Sequence, residues 1–414
     1  MGIPSLPGCP RLRGRHVPPS VALHVRVRSP TCGLLRGVVP VLLGALAGTL
    51  PGTPLVAQTP AWEATQDVVI GSADEEASVF MSPTHALLAT NGLVHVVDSD
   101  AKRISVFTER GEFVRAMGSA GGGPAQFRLI AGAGFTGDTL WAYDGPQRRL
   151  TLFSSRGELV RTVRLGAGAP PVVPVLFSAA GVVGTTATSL ADDSARLVRI
   201  VVTADTLAVV DTLATLRRAS GRLRIDVGNT RATLNHELTD SEIVVADPYG
   251  SALFVVTRPF ATDAGPAEFQ VARRRADGTV AFARSYGYDP IRIGGAQLAN
   301  LLDQIVARFT ALPMLRGRDA QVREAAEAAL PVPRFAPAVW SAVAASDGTL
   351  CLERARVGAE SRWLVLDAAG DPIGRVRLPS AVRLSSVHGD RACGIDVTGT
   401  DFPRIVCYVV RRSG

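Results

Sequence analysis

Lysine is all but absent: Lys102 is the only one among 44 basic side chains in 414 residues. The rest is arginine, a bias of composition that creates no phosphate site by itself, although arginine serves there well. Five cysteines in a chain of this length exclude a disulfide framework. The sequence also lacks a Cys-x-x-Cys pair, an EF-hand loop and a Gly-x-Ser-x-Gly elbow. His236-Glu-Leu-Thr-Asp240 begins like a zinc-binding helix, but it ends in Asp and its flanks are not helical. The loop Gly121-Gly-Gly-Pro124 lacks the Gly-Lys-Ser/Thr ending that cradles phosphate.

Acidic residues are missing from one region. Residues 1–57 carry Arg11, Arg13, Arg15, Arg26, Arg28 and Arg36 but no Asp or Glu, then turn apolar from Gly37 to Leu50. A basic stretch, an apolar run and small residues at Val56/Ala57 predict a cleaved export signal over 1–57. The alternative is a membrane anchor, since Arg36 to Glu63 is uncharged in between. Pro40, Gly44, Gly48, Pro51 and Pro54 break that stretch, and its apolar part falls short of the ~18 residues a span needs. Without the six arginines, 38 basic side chains face 37 acidic ones, so the formal +7 falls to +1. That balance excludes the nucleic-acid partner which +7 would suggest. The expected location is extracytoplasmic.

An internal repeat is the strongest signal. Leu93-Val-His-Val-Val-Asp98, Arg103-Ile-Ser-Val-Phe107 and Gly111-Glu-Phe-Val-Arg115 are followed by Leu140-Trp-Ala-Tyr-Asp144, Arg149-Leu-Thr-Leu-Phe153 and Gly157-Glu-Leu-Val-Arg161. Asp98/Asp144, Arg103/Arg149, Phe107/Phe153, Gly111/Gly157, Glu112/Glu158 and Arg115/Arg161 share an offset of 46 residues. Each unit alternates apolar and polar residues in short runs broken by Gly or Asp, which is strand patterning. Four short strands in 40–50 residues is a propeller blade. Turns at Gly181, Gly250, Gly348 and Gly389 phase four further units. The fold class is therefore all-β: a six-bladed β-propeller over 62–412, whose sixth blade borrows an N-terminal strand near Ala64–Ile70 to close the ring. One section breaks the pattern. Leu298, Leu301, Leu302, Ile305, Val306, Phe309 and Leu312 have helical spacing, and Asp319 is placed to cap a second helix ended by Pro331. This predicts an α-helical hairpin inserted before blade 5, about 296–330, as a packing element, a lid or a partner-binding knob.

At these residues the chain resembles six-bladed NHL-type propellers. Gly118-Ser-Ala-Gly-Gly-Gly-Pro124-Ala-Gln-Phe127 is similar to the Gly-rich link such proteins place between blades. The resemblance extends to secreted bacterial six-bladed propellers with a helical insertion and a Pro-rich return. It implies a fold and leaves the activity open, because propellers host binding, scaffolding and several chemistries.

The recurrence of Asp98/Arg103 as Asp144/Arg149 marks a structural pair, since a catalytic site needs asymmetry. His85 and His236 fall near the starts of inner strands, His388 at the opposite end and His95 on a second strand, so no three-histidine metal set assembles. No cofactor and no metal are expected. A ligand would meet the channel mouth, where the phasing places His85, Arg128, His236, Trp340 and Arg383; an aromatic with several cations suits an anionic or sugar-like ligand. Each also reads as ordinary core or as a paired channel residue. Cys393 and Cys407 fall nearly opposite each other if their turn centres on Thr398–Asp401, which permits a disulfide in an exported protein; buried free thiols are the alternative. The expected function is a monomeric exported module that binds a small molecule or a protein without catalysis. The second reading is a lyase, lactonase or hydrolase at the channel mouth. The membrane enters only through the export signal.

Overall fold

A computed structural model describes residues 59–71, 78–165, 172–178, 181–186, 194–203, 206–217, 222–396 and 402–412. The segment 1–57, read above as an export signal, lies outside the described residues, as does the turn around Thr398–Asp401. No helix of the described residues is long and apolar enough to cross a membrane.

The chain opens with strand β1 (Ala61–Ile70). An antiparallel meander follows: β2 (Pro83–Leu88), β3 (Val94–Asp98), β4 (Arg103–Phe107) and β5 (Phe113–Met117). A short parallel pair, β6 (Ser119–Ala120) and β7 (Gln126–Phe127), links it to the next unit. That unit is β8 (Ile130–Thr136), β9 (Thr139–Asp144), β10 (Arg149–Phe153) and β11 (Leu159–Leu165). Next come β12 (Val172–Ser178), β13 (Gly181–Thr186), β14 (Ser194–Thr203) and β15 (Thr206–Arg217). Parallel pairing of β11 with β15 joins these two meanders into one eight-stranded sheet.

A hairpin, β16 (Arg222–Val227) and β17 (Thr230–Asn235), precedes the meander β18 (Ile243–Ala246), β19 (Ala252–Thr257), β20 (Glu268–Arg275) and β21 (Val280–Gly287). Helices α1 (Gly295–Thr310) and α2 (Asp319–Ala329) come next. They lead into β22 (Ser341–Ala344), β23 (Leu350–Val357), β24 (Glu360–Leu366) and β25 (Pro372–Pro379). The chain ends with β26 (Val382–His388), β27 (Arg391–Asp396) and β28 (Arg404–Arg411). Strand β1 lies antiparallel against β28 from Glu63 to Ile70 and touches β25 in parallel at Ala61 and Trp62. The architecture is all-β and propeller-like: the first strands of successive meanders, β8, β12, β18, β22, β26 and then β2, lie side by side.

Period-two patterning explains the inner strands. Strands β8 and β12 share one alternation of buried and exposed residues, whereas the middle strands β3 and β10 are buried throughout because neighbouring sheets cover both their faces. Several first strands also carry a β-bulge against their second strand, at Thr84, Ala131, Val175 and Ser385. A bulge leaves one residue without a partner and re-aims its side chain. Close packing around the first strands needs small residues: a Cβ on Gly134 would sit 2.8 Å from the ring of Trp141.

The repeated acid and arginine do not clamp each other, as recurrence alone would suggest; each pins backbone. The fully buried Asp98 carboxylate accepts hydrogen bonds from the amides of Met81 (2.7 Å), Ser82 (3.0 Å) and Ala101 (3.1 Å). Asp144, equally buried, accepts from the amides of Arg128 (2.7 Å) and Gln147 (3.1 Å). Arg103 donates to the carbonyl of Val79, and Arg149 to those of Gly122 and Gln126. Strand register reveals a third pair that spacing hides: Asp396 faces Arg404 as Asp98 faces Arg103, here as a direct ion pair at 3.1 Å. In β23 the same register position holds Glu353, opposite Ser341.

The helical insertion is present, with one correction. Asp319 is itself the first residue of α2 and makes no capping bond, although its charge suits the first turn. Sequence patterning also misses a companion element. The hairpin β16–β17 packs Leu223, Ile225 and Val227 against Ile305, Phe309, Val322 and Ala326 of the helices, so the two insertions share one core. The buried positions of α1 repeat at helical spacing, Leu302, Ile305, Val306 and Phe309, which is the stripe this hairpin covers.

A disulfide joins Cys393 of β27 to Cys407 of β28 at directly paired positions, and Cys351 is a buried free thiol. Burial, then the Asp347 carboxylate, pushes the Cys351 thiol up to about 12, so it stays protonated and inert.

Two outcomes are expected. Of Cys351, Cys393 and Cys407, alkylation of denatured protein should label one before reduction and all three after it, and reduction should cost about 3 kcal/mol for so short a loop. Three labelled thiols without reductant would rule the crosslink out. Separately, a Cβ on Gly374 would lie 2.3 Å from the Trp62 ring, which anchors β1 beside β25. Gly374→Ala should therefore destabilise by ~1–3 kcal/mol and red-shift the tryptophan emission; an unchanged Tm and spectrum would show that the strand docks otherwise.

Candidate functional site: an axial cavity

The first strands line an open cavity of about 400 Å³. Its wall draws on residues 84, 85, 87, 131–135, 174–177, 244–248, 341–344 and 383–386, so every meander's first strand contributes. The bulged residues Thr84, Ala131, Val175 and Ser385 are all in that wall, which ties the extra residue of each bulge to the cavity.

Most of this wall is apolar or backbone, and the charged groups sit at its two ends. At one end, Arg383, the second residue of β26, donates to the carbonyls of Pro83 and Thr84 at 3.4 Å each. His85 lies beside it, with Nδ1 3.0 Å from the Thr84 hydroxyl. Burial, then the charge of Arg383, lowers the His85 pKa to about 4, so its imidazole is neutral near pH 7. At the other end the Asp247 carboxylate is consumed by the amides of Tyr249 and Ala252 and the Ser251 hydroxyl. There Phe135 stacks on Tyr249 at 5.5 Å, and His388 bonds to the Ser346 hydroxyl. The serines of β26 serve the neighbouring strand: Ser385 accepts from the Ala86 amide, and Ser386 accepts from Leu88 and donates to the Ala86 carbonyl. Among the described residues no group of three His, Cys, Asp or Glu side chains is placed to hold a metal ion.

Of the five residues expected at the mouth, the structure brings two together in this cavity, His85 and Arg383. Arg128 is exposed, and its amide serves Asp144. His236 follows β17 and is buried outside the cavity wall. Trp340 precedes β22 and lies under the Arg356 guanidinium at 4.9 Å.

That arginine belongs to a cluster which sequence reasoning missed. Burial alone would lower the Arg356 pKa, but bonds to Glu353 at 2.7 Å and Glu237 at 2.5 Å more than reverse this and raise it. Arg258 is buried nearby, donating to the carbonyls of Ser241 (2.7 Å) and Val339 (2.6 Å), and desolvation lowers its pKa to about 10. Only strand register, which the sequence does not show, sets Glu353 in the series of Asp98 and Asp144. The short strands around it carry no spacing that would show this.

No family model matches the chain, and no curated protein matches it. Solved structures do. An exported protein from Bacteroides fragilis is 11% identical over 85% of this chain and 96% of its own, with a TM-score of 0.47. A member of the DUF4221 family from Bacteroides vulgatus is 10% identical over 86% and 100%, at 0.45. Virginiamycin B lyase from Staphylococcus aureus is 9% identical over 84% and 99%, at 0.41. At such identities and scores these likenesses assign no activity to the chain.

The histidine makes a pH prediction. Its folded pKa near 4 lies below the unfolded value near 6.5, so the unfolded chain binds the extra proton and stability falls as pH drops from about 6.5 towards 4. His95, buried and lowered to about 4 by desolvation and then by Arg115, contributes in the same window. His85→Asn should flatten the decline of Tm between pH 7 and 4 by up to half. An identical slope in wild type and variant would mean that His85 titrates normally.

Proposed function

We propose that this chain is an exported, monomeric six-bladed β-propeller of the NHL-like type that binds a small anionic or sugar-like ligand, or a protein side chain of that chemistry, in its axial cavity, without catalysis of its own. The observation that carries the reading is the cavity itself. Four-stranded units each send their first strand to one wall, which is largely apolar; a cation beside a neutral imidazole stands at one end, and the carboxylate at the other end is already taken up by its own turn. An arginine whose acceptors are two long carbonyl contacts keeps donor capacity for a ligand. Ligand pockets are commonly apolar with few placed polar groups, and a volume of about 400 Å³ suits a small molecule.

Three features support the finer points. The blade count follows if each eight-stranded sheet is read as two meanders, with β1 completing the last one. The parallel link β6–β7, with Phe127 fully buried beneath Gly118, fits the Gly-Pro connection between NHL-type blades. The Cys393–Cys407 crosslink fits an oxidising compartment.

The ring nitrogen of Trp141, whose side chain lines the cavity, provides a probe. With ¹⁵N-labelled tryptophan, gluconate should shift the Trp141 indole signal of wild type, and Arg383→Ala should weaken the effect about tenfold. No response in wild type to gluconate would remove the ligand reading. Metal analysis of the purified protein should give far less than one equivalent of calcium or zinc; a stoichiometric metal would overturn the non-catalytic reading in favour of a lyase, lactonase or hydrolase at the mouth.

A further inference from the structure

A second, larger groove of about 1060 Å³ lies away from the axis. It is bounded by the start of β1, the residues just before β20, the end of β21, the Pro-rich return at 336–338, and strands β23 to β25. Inside it sits Arg354, the neighbour of Glu353 on β23. The Arg354 guanidinium lies over the ring of Phe269 at 4.2 Å and of Tyr288 at 5.0 Å, and its Nη1 is buried with no hydrogen-bond acceptor. The Tyr288 hydroxyl, also buried and lining the groove, has no partner either. Two orphaned polar atoms on touching residues are costly, since each forfeits the hydrogen bonds it had in water. The neighbouring arginines are not in this state: Arg375 donates to the carbonyl of Thr59, and Arg377 faces Glu360 at 3.8 Å.

We infer that this groove is a binding site for a carboxylate-bearing ligand, whose oxygens take up the free N–H of Arg354 and the O–H of Tyr288. The two rings offer the guanidinium their π electrons but no lone pair, so the buried Nη1 N–H still lacks an acceptor. Of the arginines lining the groove only Arg354 has a buried guanidinium nitrogen without an acceptor, Arg362 being exposed, so one negative charge matches it; a phosphate dianion would bring a second charge to a site with one buried partner. Burial holds the Arg354 pKa down to about 10, still cationic near neutrality, and raises that of Tyr288, which keeps the phenol a donor. Trp62 and Trp363 line the same groove and provide reporters distinct from Trp141 of the axial cavity, so this site stands or falls independently of the axial one.

The test is titration of ¹⁵N-tryptophan-labelled protein with benzoate at millimolar concentration, followed at the indole signals of Trp62 and Trp363. Both should shift in wild type. Arg354→Met keeps the apolar stem while removing an unpaired buried charge, so it should retain or raise the Tm and weaken benzoate binding about tenfold or more. Tyr288→Phe keeps the ring and should weaken it several-fold. Inorganic phosphate should shift neither signal at the same concentration. Absence of any shift in wild type, an unchanged affinity in a folded Arg354→Met protein, or a steep fall of Tm in that variant with binding retained by Tyr288→Phe would each show that Arg354 is a structural cation and overturn the proposal.

Discussion

A buried carboxylate at the end of a second strand holds each well-formed unit together at its start. Asp98 and Asp144 have no exposed surface, and their charges are tolerated because backbone amides point at them. Those amides belong to the residues leading into the first strand of the same unit, so the carboxylate decides where that strand begins. The bulges, and with them the residues facing the axis, follow from that starting point. Replacing the acid would leave several inward amides without an acceptor, a larger loss than that of one surface bond.

The second constraint is that no meander buries both of its faces alone. Phe254 and Phe269 of β19 and β20 share a core with Leu350, Leu352 and Leu364 of the following unit. Ile104 and Val106 do the same with Ile130, Leu140 and Phe153. Cys393 and Cys407 pack with Phe80, Val96 and Phe107, which couples the last unit to the first. Apolar burial between units thus forces them to stack in chain order around their first strands, and the axial cavity is what remains where those strands cannot come closer. The insertions obey the same rule on a smaller scale, since neither helices nor hairpin has a second face to bury against except the other.

Three arginines show how surroundings divide one side-chain type into different roles. Arg356 is clasped by two carboxylates and holds the start of β22 under its guanidinium. Arg383 rests on carbonyls of the next unit at the limit of bonding distance and faces the cavity. Arg354 has aromatic faces but no acceptor. Their near neighbours in sequence do not distinguish them, because what matters is which strand of another unit lies opposite.

The sequence alone determined the strand periodicity, the 46-residue repeat and the helical pair before β22, because each rests on local patterning that survives without knowledge of neighbours. It singled out His85 and Arg383 for the same reason: both fall in the first three positions of an inner strand, His85 third in β2 and Arg383 second in β26. The tertiary structure decided that Arg128, His236 and Trp340 stand outside the cavity, that Asp396 and Glu353 continue the Asp98 and Asp144 series, and that the hairpin β16–β17 covers the helices. Those facts depend on register and on contacts between units distant in sequence. A turn of variable length hides the register, and composition carries no trace of which orphaned donor ends up inside a groove.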